Sequence, residues 1–146
     1  MKIEIKCFEE LDTADLYGLL QLRSEVFVVE QNCVYQDMDG KDQQAIHILG
    51  KNQGKIVAYL RVFKSGDYFE TTSIGRVVVA KPSRKKGHAK EIMNAAIACI
   101  EGDLKEKTIT LSAQTYLVHF YVDLGFKKKG KEYLEDGIPH VKMVYG

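Results

Sequence analysis

A β-branched run that breaks into a basic turn and then into an amphipathic helix dominates this sequence. Residues 74 to 89 read Ile-Gly-Arg-Val-Val-Val-Ala-Lys-Pro-Ser-Arg-Lys-Lys-Gly-His-Ala. Val77, Val78 and Val79 favour a strand, which stops at Ala80. From Gly87 the helical period takes over. Ala89, Ile92, Met93, Ala96, Cys99 and Ile100 fall on one stripe, and Gly102 stands just past its end. A further strand is predicted at 108 to 113. Strand, helix and strand in succession imply a parallel pair joined by a crossover. At the start of such a helix several backbone N–H groups lack a helical partner, and the helix dipole makes the spot electropositive. A phosphate or pyrophosphate is the natural occupant.

The charges there point the same way. Segment 81 to 90 carries Lys81, Arg84, Lys85, Lys86 and Lys90 and no acid. Positive charge at a helix N-terminus is unfavourable unless an anion is bound, so the local conflict signals function rather than a solvated turn. The loop is not a Walker loop, since no Gly-Lys-Ser/Thr follows a second glycine. Nor does it carry the GxGxxG of a dinucleotide site.

The remaining elements build a mixed sheet. Residues 2 to 8 alternate as a strand. Asp12 or Thr13 caps a helix with Leu16, Leu19, Leu20 and Phe27 on one face, and Glu30 closes it. Residues 30 to 43 read as a loop. Strands at 45 to 50 and 55 to 64 meet at Asn52-Gln53-Gly54, a hairpin signal, and Ser65-Gly66-Asp67 turns the chain again. A short helix over 115 to 124 ends at Gly125. One strand starts at Phe126, and another holds Val141, Met143 and Tyr145. The prediction is one α+β domain over 1–146, a mixed twisted β-sheet with helices on both faces.

Composition removes several function classes. The net charge is +1, and the lysine-rich stretches lack interleaved aromatics, so no nucleic-acid partner is expected. No 18-residue apolar stretch and no signal-type start are present, so no membrane partner is expected. Three cysteines without CxxC spacing suit a reducing, cytoplasmic setting and give no zinc pattern. Asp37-Met38-Asp39-Gly40-Lys41-Asp42 has its glycine misplaced for a calcium loop, so no metal is expected.

Arg84-Lys85-Lys86-Gly87-His88-Ala89 matches Arg/Gln-x-x-Gly-x-Gly/Ala and resembles the acetyl-CoA pyrophosphate loop of the GNAT family of N-acetyltransferases. Phe120-Tyr121-Val122-Asp123-Leu124-Gly125-Phe126 resembles that family's second signature, in the expected order and at about the expected distance. Glu25-Val26-Phe27-Val28-Val29-Glu30-Gln31, Ser112-Ala113-Gln114 and Glu135-Asp136-Gly137-Ile138-Pro139-His140 are similar to the ElaA-type branch. The resemblance implies the GNAT, or acyl-CoA N-acyltransferase, fold. It also implies transfer of acetyl from acetyl-CoA to a primary amine by direct attack in a ternary complex. The loop amides of Lys85, Lys86, Gly87, His88, Ala89 and Lys90 would hold the pyrophosphate beside Arg84. The main chain of Val77, Val78 and Val79 would bond the pantetheine arm, and one N–H there would stabilise the thioester oxygen. Gln114 stands where the family often has Asn, and Leu117 where it usually has Ala. A CoA-binding regulatory module without turnover is the alternative.

The chemistry needs two proton handlers. An amine must lose a proton before attack, and the departing thiolate gains one. Tyr121 stands at the family's donor position, although its place on the Leu117/Leu124 stripe also suits a core residue. Glu30, His47 and His140 are the candidate bases. Glu30 draws attention because a carboxylate at a helix C-terminus opposes the dipole, and His140 because it follows Pro139 near a strand start. Against one lysine, Lys41, segment 30 to 42 sets Glu30, Asp37, Asp39 and Asp42, so it is expected to attract a cationic acceptor. That acceptor, a small-molecule or peptide amine, is unnamed, and homodimer assembly is left open.

Overall fold

The computed structural model describes residues 1–146. Seven strands form one sheet in the order β1-β2-β3-β4-β5-β7-β6. They are β1 (Lys2–Cys7), β2 (Ile46–Asn52), β3 (Lys55–Phe63), β4 (Thr72–Val79), β5 (Ile109–Gln114), β6 (Phe126–Glu135) and β7 (Ile138–Tyr145). Three α-helices join them: α1 (Thr13–Arg23), α2 (His88–Gly102) and α3 (Val118–Asp123). Asp12 caps α1, its side chain accepting from the Asp15 N–H at 2.7 Å.

β3 explains the layering. Its residues from Ile56 to Phe63 are all buried, because both faces of the strand are covered. On one face Ala58, Leu60 and Val62 meet Ile92, Met93, Ala96 and Ile100 of α2, in a core that runs on to Tyr121, Phe126, Val141 and Met143. On the other, Tyr59 joins Leu49, Ile56 and Val78 under Leu19, Leu22 and Val26. Each fully buried Leu or Ile contributes roughly 1.5–3 kcal/mol.

All neighbouring strands pair antiparallel except β4 and β5. That parallel pair is held only at Thr72↔Ile109 and Ser73↔Thr110; beyond it the strands part and the sheet opens. A bulge in β4 lies beside the opening. Arg61 faces Gly75 while Tyr59 faces Val78, so β4 carries one extra residue there. Arg76 takes φ +53 at that point.

Two features depart from the sequence reading. The first helix is not uniform to Glu30. After Arg23 it widens into a π-helical segment, Ser24–Glu30, with Gln31 N–H donating to Val26 O and Cys33 N–H to Val28 O, each five residues back. The expected open loop before β2 is folded down onto the sheet by buried ion pairs, described below. Lys127, Lys128, Lys129 and Lys131 lie exposed on β6, the outermost strand, where lysines discourage edge pairing.

Candidate active site

The opening between β4 and β5 holds two adjoining cavities. The larger has a volume of about 530 Å³ and runs from the α2 N-terminus to Tyr121. The smaller, about 120 Å³, lies between β4, β5 and the β6–β7 turn. Phe27, Gln31, Val77, Gln114, Leu117 and Tyr121 line both. The π-helical widening brings Phe27 and Gln31 to this junction, while Val26 and Glu30 line the larger cavity.

The larger cavity gathers the residues singled out for the cofactor: Val77, Val78, Val79, Arg84, Lys85, Gly87, His88, Ala89, Lys90 and Gln114. Lys86 does not line it. Lys85 at φ +64 and Gly87 at φ +81 turn the loop through two left-handed residues just before α2. This kind of turn gathers successive N–H groups into an anion-binding hollow. At Gly87 the conformation itself requires glycine, since an added Cβ would meet nothing within 4 Å.

The backbone of β4 is also available. Ala80 N–H donates to Val57 O at 2.8 Å, so alternation turns Val78 toward β3 and Val77 and Val79 toward the opening. The Val79 carbonyl accepts from Arg84 Nε at 3.0 Å, and β5 pairs with β4 only at Thr72 and Ser73, so no strand faces Val77 and Val79 on that edge. Both ring nitrogens of His88 are buried without a hydrogen-bond partner. Sequence reasoning gave that ring no role, because the position varies freely in the loop pattern.

Glu30 does not suit a base. Arg84 Nη1 donates to its Oε2 at 2.6 Å and Nη2 to its Oε1 at 2.8 Å. These bonds hold its carboxyl below the ordinary range, which stabilises the charged form and occupies both oxygens. The pair ties the end of the first helix to the cofactor loop. His47 is also excluded: it is fully buried away from both cavities, bonded to Tyr59 Oη at 2.7 Å and to the Asp42 carbonyl at 2.9 Å. The carbonyl only accepts, so Nε2 carries the proton and Nδ1 accepts from Tyr59.

Tyr121 reconciles its two readings. It is 5% exposed and part of the core, yet it lines both cavities. Its hydroxyl has no protein partner and is not among the enclosed unpaired atoms, so it meets the opening. Burial raises its pKa and keeps it protonated. Gly125, which ends the motif, takes φ +103, and a Cβ there would come within 3.0 Å of the Tyr145 ring. His140, opposite Gln114 on the β5–β7 pair, lines the smaller cavity. Gln114 exchanges side-chain amide bonds with Gln31 at 3.2 and 3.3 Å, bridging the junction.

The acidic segment proves to be structural, which overturns the expectation of a free anionic lure. Arg23 Nε donates to Asp37 Oδ2 and Nη1 to Asp42 Oδ1, both at 2.8 Å. Arg61 donates to Asp42 at 2.8 Å and to both oxygens of Asp39, at 3.0 and 2.6 Å. Arg76 Nε lies 2.8 Å from Asp37 Oδ1. Three arginines thus balance the three aspartates. Burial pushes Asp39 up, but Arg61 outweighs it and brings its pKa to about 2. The sequence showed the acids clustered, while their partners came from α1, β3 and β4, far away in the chain.

The comparisons agree with this geometry. A family model described as Acetyltransferase (GNAT) domain matches residues 11–146. Protein ElaA of Escherichia coli K12 is 43% identical over 136 residues, covering 92% of this chain and 89% of ElaA. The crystal structure of Escherichia coli ElaA superposes with a TM-score of 0.93 at 39% identity, covering 99% of each chain. An acyl-CoA N-acyltransferase from Pseudomonas aeruginosa gives a TM-score of 0.93 at 36% identity over 100% of both chains. With the split sheet, the left-handed loop at Gly87 and the tyrosine at the junction, these likenesses lead to one conclusion: the chain belongs to the GNAT acetyltransferase family, in its ElaA-type branch, and has the acyl-CoA N-acyltransferase fold.

Proposed function

We propose that this protein transfers acetyl from acetyl-CoA to a primary amine by direct attack within a ternary complex. The observation that supports it most is the meeting of two chemically different cavities at Tyr121. One has a basic, N–H-rich loop at its end, suited to a pyrophosphate. The other is lined by His140, Glu135 and Asp136, suited to an ammonium.

In this reading the amides from Lys85 to Lys90 hold the pyrophosphate. Val77 and Val79 offer backbone N–H groups to the pantetheine arm and the thioester oxygen. His140 receives a proton from the acceptor nitrogen. Attack forms the C–N bond, the C–S bond breaks, and the Tyr121 O–H gives its proton to the leaving sulfur. The proton the nitrogen sheds after attack replaces the one Tyr121 gave. No cysteine lines the larger cavity, and the one in the smaller, Cys33, donates its thiol to the Asp136 carbonyl at 3.3 Å, which favours direct attack over an acetyl-enzyme. A screen of primary amines with acetyl-CoA, followed by free-thiol release, tests the proposal. Tight acetyl-CoA binding with no thiol release on any amine would replace it with the regulatory reading.

A further inference from the structure

At the rim of the smaller cavity, His140 Nε2 and Glu135 Oε2 face each other at 3.4 Å. His140 Nδ1 lies 2.7 Å from the Ile138 carbonyl oxygen. A carbonyl only accepts, so the ring proton is on Nδ1, and in the neutral ring Nε2 is a lone pair. Two acceptors then confront each other with no donor between them. The ring is buried and the carboxylate stands at the open rim, so both acceptors turn to one accessible point, where a cationic donor can reach them together.

The carboxylate is held in that position. Ser112 Oγ donates to Glu135 Oε1 at 3.5 Å, and Ser112 Oγ and Tyr133 Oη are hydrogen-bonded. Ser112 has one proton and spends it on Glu135, so Tyr133 is the donor to Ser112. The bonds run one way, from Tyr133 through Ser112 to Glu135. The Tyr133 ring also stacks on His140, at 6.3 Å and 20° between planes. Three strands supply the group: Ser112 from β5, Tyr133 and Glu135 from β6, and His140 from β7. Register sets His140 opposite both Gln114 and Tyr133, on one face of the sheet.

The arginines of this cavity do not compete for the site. Arg61 and Arg76 are engaged by Asp37, Asp39 and Asp42, whereas Glu135 has no lysine or arginine partner.

We propose that Glu135 Oε2 and His140 Nε2 together receive the ammonium of the acceptor, seated on the cavity side of the pair, so that Glu135 makes the enzyme select protonated amines over alcohols. This deepens the proposed function and rests on its reading of the smaller cavity as the acceptor site. One ammonium N–H donates to Glu135 and a second to His140. The second proton passes to Nε2, the new Nε2–H then turns to Glu135 Oε2, and the lone pair this frees on the amine nitrogen is available to attack the thioester carbon. Ser112 and Tyr133 are positioning residues: they touch Glu135, not the substrate.

The test has two arms. In the first, histidine-labelled protein is titrated with n-butylammonium and with n-butanol while the His140 nitrogen resonances are followed by NMR. The Nε2 signal moves with the amine and not with the alcohol, and Glu135→Gln weakens the response at least tenfold. No movement with the amine, or an equal response in Glu135→Gln, overturns the proposal. In the second, Glu135→Gln and Tyr133→Phe raise the amine KM about tenfold and about threefold, with kcat changed less than the KM and acetyl-CoA affinity unchanged. Glu132→Gln, an exposed acid on the same strand, leaves the amine KM as it was. A kcat loss without a KM rise, or an equal KM rise in Glu132→Gln, also overturns it. A protein that acetylates no amine defeats the proposed function, and the NMR arm then decides this inference by itself.

Discussion

Arg84 and Glu30, 54 residues apart in the chain, are joined by two parallel N–H···O bonds of 2.6 and 2.8 Å. One residue belongs to the basic loop before α2 and the other ends the π-helical segment that carries Phe27 to the junction. The pair therefore couples two walls of the larger cavity. Because the pair is partly exposed, its contribution is on the order of 1 kcal/mol, about a fivefold effect. Glu30→Gln is expected to raise the acetyl-CoA KM about fivefold while kcat stays within about twofold. A large kcat loss with an unchanged KM would restore Glu30 as a base.

Tyr121→Phe keeps the aromatic packing on Phe120 and Phe126 and removes only the hydroxyl that donates the proton. The expected result is a kcat lower by about 10²–10⁴-fold, with acetyl-CoA Kd and Tm nearly unchanged. Rapid-quench turnover beside calorimetric binding measures both quantities. Equal rates would return Tyr121 to a packing role.

Gly87→Ala meets no steric obstacle, yet a Cβ costs about 1–2 kcal/mol at positive φ. The loop will relax from its left-handed turn, so acetyl-CoA binding weakens roughly tenfold while the fold stays intact. Calorimetric titration with CoA is the measurement. Gly87→Glu adds like charge to the bound phosphates and abolishes binding.

Arg23→Met leaves Asp37 and Asp42 buried without their shared partner. Removing one member of a buried ion pair costs about 3–5 kcal/mol, which for a chain of this size lowers Tm by about 10 °C or more. Neutralising Asp37, Asp39 and Asp42 together will likewise unfold the protein instead of merely raising the acceptor KM. A folded triple variant, judged by circular dichroism, would contradict the structural role.

The pH dependence of stability follows from His47 and Asp39. Burial lowers the His47 pKa below its ordinary 6.5, so below that pH the unfolded chain binds a proton that the folded chain refuses. Stability should therefore fall as pH drops from about 7 to 5. Asp39 adds a second loss. Its pKa is near 2 in the fold against 3.8 otherwise, so its contribution is full above 3.8 and disappears as pH falls through 2. Urea unfolding from about pH 8 down to about pH 2 checks both. A flat profile between 7 and 5 would mean that His47 titrates freely.

Local pattern made the lining of the larger cavity readable. The Val77–Val79 strand, the basic turn, Gly87 and the Ala89/Ile92/Met93 stripe are contiguous, so one stretch of chain carries both the geometry and the charge. The smaller cavity and the acidic segment near it were less readable, because their contacts are pairwise and distant. Asp37, Asp39 and Asp42 look free until Arg23, Arg61 and Arg76 are seen against them. His47 and His140 look alike in sequence and differ only in what surrounds them. The π-helical turn also escaped notice, since Ser24–Glu30 keeps an apolar pattern that an ordinary helix would share. Ser112, Tyr133 and Glu135 converge only once β5, β6 and β7 are in register.

The parting of β4 from β5 after two paired residues places an unfinished edge in the middle of a sheet rather than at its rim. Unpaired strands at a rim invite other chains; an interior edge flanked by helices is sheltered from them. The protein can thus keep backbone donors vacant for a small guest without exposing itself to aggregation.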